Sequence, residues 1–274
     1  MAERGGLGGS PPRASTEPVT YAGYLRLDQL LGAQQPRSDE HDEMLFIVIH
    51  QIYELWFKQL LHELTKLQTQ LESGETTHAM RTLRRTLAIL KIVVAQLDVL
   101  ETMTPTQFTR FREALGTSSG FQSAQFRELE AVLGRRDPMM LAQYAADSTE
   151  RARIAAAMSR PSVFDSFLSY LAGQGFDGPA DVRGRDVTQP LLASDAVQQV
   201  LKKVYDDDTD ATAVCELLVD LDEGMQEWRY HHIKMVERTI GARRGTGGSA
   251  GATYLQSTLG NPTFPDLWAM RSLG

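Results

Sequence analysis

Residues 217–251, LLVDLDEGMQEWRYHHIKMVERTIGARRGTGGSAG, carry the pattern that decides the class of this chain. Leu217, Leu221, Met225, Trp228, His232, Met235 and Ile240 recur every three or four residues. On an α-helix they form one apolar stripe, with acids, Arg229 and Lys234 on the other faces. His232 therefore points inward, and His231, about 100° round the helix, points off the stripe. After the helix, GTGGSAG at 245–251 has four glycines in seven residues, which removes Cβ atoms and lets backbone approach a partner closely. A buried imidazole followed by such a run suggests a site. Plainer readings stand beside it: a core histidine is often satisfied by a carbonyl or carboxylate. The glycine run lacks the lysine of a phosphate-binding loop and follows a helix rather than a strand.

Upstream, the acidic lead-in SDEHDE at 38–43 suits a helix N-terminus, and the helix is predicted to run to about residue 73, before Gly74. Its first half, MLFIVIHQIYELWFKQLL, is apolar nearly all round, as in a helix buried inside a bundle. Phe46, His50, Tyr53 and Phe57 share one face, so His50 has aromatic rings above and below it. Two inward histidines on two buried helices strengthen the site reading. Further helices are predicted over about 78–100, 123–133, 138–146, 149–158, 162–171 and 194–206, with a loop over 174–192. A short helix from residue 20 ends before Pro36, with Tyr21 and Tyr24 at its entrance; these either staple it to the core or contribute to a partner or pocket wall.

Thr104-Pro105-Thr106-Gln107 combines an N-cap, a proline at the first helical position and a capping-box glutamine. On the short helix that follows, Phe108, Phe111, Arg112 and Leu115 form the apolar stripe, which draws Arg112 inward and leaves Arg110 outside. A buried guanidinium needs an anion, either an internal Glu or Asp or the carboxylate or phosphate of a ligand. The loop at 116–120, GTSSG, supplies hydroxyls and amides near the same place. No alternating strand pattern, internal repeat or sustained heptad is present, so the expected class is all-α, a single large helical-bundle domain over 19–274.

Composition narrows the function. The 274 residues are 42% hydrophobic and 23% charged, an ordinary globular balance, and the net charge of −7 argues against a nucleic-acid surface. No stretch reaches the roughly 18 apolar residues of a membrane span. Residues 1–18, rich in Gly, Pro and Ser, read as a disordered tail without a secretory h-region, and the single cysteine, Cys215, fits a reducing, cytoplasmic setting.

Taken together, HDEMLFIVIHQIYELWFKQLLHEL (41–64), the FRE and SSGFQS stretch (111–123), WRxxH (228–232) and RGTGGSAG (244–251) resemble the tryptophan 2,3-dioxygenase family. The resemblance extends over nearly all of the chain from residue 21. It implies a haem enzyme that inserts both atoms of O2 across the indole C2–C3 bond of L-tryptophan, giving N-formyl-L-kynurenine, the first step of tryptophan degradation by the kynurenine pathway. It further implies one haem b per subunit, ferrous in the active form and held non-covalently, since nothing here resembles CxxCH. His232 would be the proximal iron ligand. On the distal side His50 would bond the indole N–H, with Phe46 against the ring and the neighbouring Ile47, Val48 and Ile49 in the substrate-binding segment. Arg112 would bind the substrate carboxylate, Thr246 would contact its ammonium and carboxylate and close over it, and Phe108 would line the pocket. Leu115, Ser119 and Gly120 would edge the haem. Tyr21 and Tyr24 match a segment that crosses into a neighbouring subunit's site, in a family of homotetramers.

Two other classes compete. A carboxylate-bridged di-iron bundle needs two Glu-x-x-His pairs, and the sequence offers one, Glu75 and His78, where a helix is only starting. A helical scaffold protein, with both histidines and Arg112 satisfied internally, leaves the glycine run without a purpose.

Overall fold

The computed structural model describes residues 18–241, 243, 256 and 259–273. The disordered-tail expectation for the N-terminus thus falls almost wholly outside the described residues. The chain divides into two compact units, Met1–Gln35 and Pro36–Gly274.

In the first unit, Thr20 caps α1 (Tyr21–Leu25), its side chain accepting from the Gly23 amide. The predicted single helix is two short ones. Arg26 adopts a left-handed conformation (φ 53°) that ends α1 and starts α2 (Leu27–Leu31). The Arg26 amide bonds back to Ala22 and Gly23, a common helix stop, and only Gly32 sits where a glycine stop was visible.

The second unit is all-α, with no strand among the described residues. Three long helices form its centre: α3 (His41–Glu72), α4 (Thr76–Leu100) and a later one, Asp210–Ile240. The first packs on the second and the second on the third. Along α3 the buried Ile49, Tyr53, Phe57, Leu60, Leu64, Leu67 and Leu71 follow the helical period, and Leu83, Leu90, Val93 and Leu97 answer from α4. Burial of α3 is not complete all round, because Met44 and Leu55 stay exposed. Next come α5 (Pro105–Arg112), with both arms of its capping box made, α6 (Ala124–Leu133), α7 (Thr149–Met158), α8 (Val163–Gly173), the single turn α9 (Ala180–Arg183) inside the predicted loop, and α10 (Asp195–Asp207). The long helix Asp210–Ile240 is α11, and α12 (Pro265–Ala269) is followed by a 3-10 turn, Met270–Ser272. Residues 138–146 do not form the expected helix: only a 3-10 turn, Pro138–Leu141, is present. Ser148 must be extended to cap α7, and Gln143 and Tyr144 spend their side chains on the carbonyls of Phe121 and Gln122.

Two features of α11 fix its position. At Gly224 a Cβ would lie 2.7 Å from Leu90 Cδ2, so the helix crosses α4 more closely than a side chain allows. Two residues earlier, the fully buried Asp222 accepts from the amides of Thr263 and Phe264 and from the Trp268 indole N–H, each at 2.9 Å. The segment returning from residues 244–258 is thereby moored to the helix that carries His232. Asp222→Ala strands three donors in an enclosed place, each worth ~1–3 kcal/mol when unpartnered. Urea unfolding is expected to show a loss of about 3 kcal/mol or more; a change below about 1 kcal/mol would contradict the anchoring role.

Candidate active site

Between α3, α5, α6 and α11 lies a cavity whose volume open to the centres of water molecules is about 220 Å³. One water needs only ~10–15 Å³ on that measure, so the space is of ligand size rather than a packing void. Helical periodicity decides what faces it: from α3 come Phe46, His50, Tyr53, Glu54 and Phe57, and from α11 Trp228, Arg229, His232, Met235, Val236, Thr239 and Ile240. Phe108 and Arg112 of α5, Leu115, and Ser118, Ser119 and Gly120 of the following loop complete one side, and Phe126, Arg127 and Glu130 of α6 another. That loop can turn here because Gly116 takes φ 57°, a conformation costly for side-chain-bearing residues.

His50 is oriented by its own helix. Its Nδ1 lies 2.7 Å from the Phe46 carbonyl oxygen, which can only accept, so Nδ1 carries the proton and Nε2 presents a bare lone pair. Burial pushes the ring's pKa below the usual value for histidine, against the smaller opposing effects of that bond and of Glu54. The imidazole is therefore neutral at pH 7, with Nε2 an acceptor. A Cβ on Gly120 would sit 3.7 Å from Nε2, so the glycine leaves the space before this atom open. Phe46 lies tilted against the His50 ring (centroids 4.1 Å, interplanar 37°), and its ring centroid is 5.9 and 5.6 Å from those of Phe108 and Phe111, tying α3 to α5.

His232 is held by aromatic packing. Trp228, one turn earlier, lies parallel to it (centroids 5.0 Å, interplanar 11°) and is backed by Phe126 and Phe57. Burial, then the neighbouring His50 and Arg127, push its pKa down to about 4, so it too is neutral. A neutral imidazole on a packed helix suits an axial iron ligand. Among the described residues no three His, Cys, Asp or Glu side chains converge to hold a metal ion. The group that fits this lone donor is one bringing its own equatorial ligands, and apolar walls with a cationic edge suit the face and carboxylates of a porphyrin. The Trp228 indole N–H is buried without a hydrogen-bond partner among the described residues.

The structure brings Phe46, His50, Phe108, Arg112, Leu115, Ser119, Gly120 and His232 to one cavity. It does not bring Ile47, Val48 and Ile49 there: at 100° per residue they turn off the His50 face, and Ile49 is core. Thr246 and its glycine run lie outside the described residues. Tyr21 and Tyr24 are exposed, each at 77%. His231 points off the stripe as expected, 4.0 Å from Glu227, and Arg110 is outside, 3.8 Å from Glu40. Glu75 and His78 pair with each other on the surface, away from any bundle interior. Missing from the sequence reading are Tyr53 and Phe57 as cavity walls and the group Arg127, Glu130, Arg135 and Arg229. The i,i+3 spacing of Arg127 and Glu130 was the one available signal for that group.

The tryptophan 2,3-dioxygenase family model matches residues 9–171 and 183–273. The chain belongs to this family. It is similar to the tryptophan 2,3-dioxygenases of Anaeromyxobacter dehalogenans (63% identity over 95% of this chain and 98% of that one) and Herpetosiphon aurantiacus (55%, over 94% and 99%). At greater distance it resembles that of Xanthomonas oryzae (44%, over 93% and 87%). The all-α fold is thus that of a haem dioxygenase family.

His50 gives a direct check on the tautomer. Long-range 1H–15N correlation spectra of the protein are expected to show it protonated mainly at Nδ1 at pH 7, and less charged at pH 6.5 than a free histidine, which is half charged there. A doubly protonated ring at pH 7 would refute the assignment.

Proposed function

We propose that this chain inserts both atoms of O2 across the C2–C3 bond of L-tryptophan, giving N-formyl-L-kynurenine, the entry step of tryptophan degradation through kynurenine. The observation that carries the reading is two neutral histidines, on α3 and α11, facing one aromatic-lined cavity in a member of this family. Substrate plus O2 equals product in atoms and electrons, so turnover consumes no external reductant. His232 would hold one haem b per subunit, non-covalently and ferrous in the active form. That group, when bound, supplies the activation of O2, which is kinetically inert toward closed-shell organic molecules.

The chain's own residues would do the rest. His50 Nε2 accepts the indole N–H, and the Phe46 carbonyl keeps the opposite nitrogen protonated. A ring with a depressed pKa is a poor base and indole is a far weaker acid, so His50 positions the ring and does not deprotonate it. Phe46 and Phe108 pack against the indole. Arg112, half-buried on the cavity wall, takes the substrate carboxylate. Leu115, Ser119 and Gly120 edge the cofactor. Thr246 would contact the substrate's ammonium and carboxylate as the glycine run closes and excludes water. Tyr21 and Tyr24 would serve a neighbouring subunit of a homotetramer; exposed Met44 and Leu55 on α3 and Ile92 and Val99 on α4 support self-association. A cytoplasmic setting is supported by the buried, unpaired Cys215. No helix among the described residues is long and apolar enough to cross a membrane.

The test is turnover of L-tryptophan by haem-loaded, dithionite-reduced protein under 18O2. A Soret band and a product carrying two labels are expected; no Soret band after reconstitution, or a single label, would overturn the reading. Tryptamine, which lacks the carboxylate, should fall in kcat/KM by on the order of 10²-fold or more, and parity with tryptophan would remove Arg112 from its role. His50→Ala should keep a measurable fraction of kcat, whereas complete loss with tryptophan still bound would restore a base role.

A further inference from the structure

Among the described residues the cavity lining carries four arginines, Arg112, Arg127, Arg135 and Arg229, against two carboxylates, Glu54 and Glu130. Glu130, 3% exposed, accepts from Arg127 Nη1 at 2.6 Å through Oε2 and from Arg135 Nη1 at 2.8 Å through Oε1, with Arg229 Nη2 at 3.5 Å. Arg135 is further engaged by Asp137 at 3.2 Å. These three guanidiniums thus gather on Glu130 and Asp137 in an enclosed place, where a buried cation without a matching anion is costly.

The two arginines with donors to spare are those on the helices that frame the site. Arg127, 6% exposed, has its guanidinium carbon over the rings of Phe121 and Phe126, 4.7 and 5.6 Å from their centroids, which holds the group at this wall. Glu130 is its only hydrogen-bond partner among the described residues, and it uses one of five N–H groups. Its side chain lines the cavity, and none of its nitrogens is both enclosed and without a partner. Arg229, one turn before His232, has an enclosed side chain (13% exposed) held by two contacts at the limit of hydrogen bonding, 3.4 Å to the Asn261 carbonyl and 3.5 Å to Glu130. Planar forks of this kind match carboxylates two bonds at a time.

We propose that Arg127 and Arg229 are the receptor for the carboxylate groups of the haem, and that Glu130 is a positioning residue that holds both forks at the cavity wall. The proposal rests on the haem reading above and adds which edge of the group faces α6. Glu130 bonds Arg127 tightly, while its long contact to Arg229 leaves that guanidinium free to turn toward an arriving anion. An apolar macrocycle without carboxylates would leave the excess charge unmet.

Full-length protein freed of haem, titrated with ferric protohaem and with its dimethyl ester and followed by Soret absorbance, tests this without recourse to turnover. Wild type is expected to bind protohaem at least about tenfold more tightly than the ester, the scale of one charge-assisted hydrogen bond. Arg127→Ala and Arg229→Ala should each weaken protohaem about tenfold while leaving the ester nearly unchanged, which also shows the cavity intact. Glu130→Gln removes a negative charge, so simple attraction predicts tighter protohaem binding, whereas loss of positioning predicts weaker binding; weaker is expected and tighter would overturn the role of Glu130. Should that variant fail to fold, Glu130→Asp, with charge kept and reach shortened, is read the same way. Equal wild-type affinity for acid and ester, or full protohaem affinity in both arginine variants, would overturn the receptor, leaving the cluster a structural ion-pair network. Binding of neither compound would instead overturn the haem reading.

Discussion

Desolvation of two imidazoles is the constraint on which this structure turns. His50 and His232 face one cavity, and burial is the first cause of the depressed pKa of each. A ring that stays uncharged can accept a hydrogen bond or bind a metal; a protonated one can do neither. Keeping water away requires thick apolar walls, and these are the aromatic face of α3, the Trp228 stack on α11 and the Phe108–Phe111 pair of α5. The helices must in turn be held in place, which α4 supplies by packing on both α3 and α11.

The cost of leaving a large space inside a bundle explains how the remaining elements are fastened. Close packing is lost around the cavity, so helix position depends on a few directional devices. Asp222 gathers three donors from the C-terminal segment, the capping box at Thr104 starts α5 at a defined residue, and Gly224 lets α4 and α11 meet backbone to side chain. Each acts where the hydrophobic effect, which has no direction, cannot choose among nearby arrangements.

What could be read from the sequence followed the range of each interaction. The α5 start was legible because its capping box lies within four residues, and the inward faces of α3 and α11 because burial repeats with the helical period. His50, His232 and the Arg112 side of α5 came from the same periodicity. Other features answer to long-range geometry. Arg229 and Glu130 are 99 residues apart and nothing local marks them as neighbours. The break at Arg26 depends on a left-handed residue whose type gives no warning. Ile47, Val48 and Ile49, which the family resemblance groups with the substrate-binding segment, sit on other faces of α3 than His50 and do not line the cavity. The role of Thr246 came from family resemblance alone.

The hydrogen bond from His50 Nδ1 to the Phe46 carbonyl has a consequence for how this site can change over time. Its acceptor is a main-chain oxygen, which every amino acid possesses, so no substitution at residue 46 deletes it. The proton at Nδ1 is therefore insulated from mutation as long as the helix persists. Side chains around Nε2 can vary in size and polarity while the atom that meets the ligand keeps the same lone pair. The chemistry of the ring is inherited from the backbone, and selection on the pocket is left free to adjust shape.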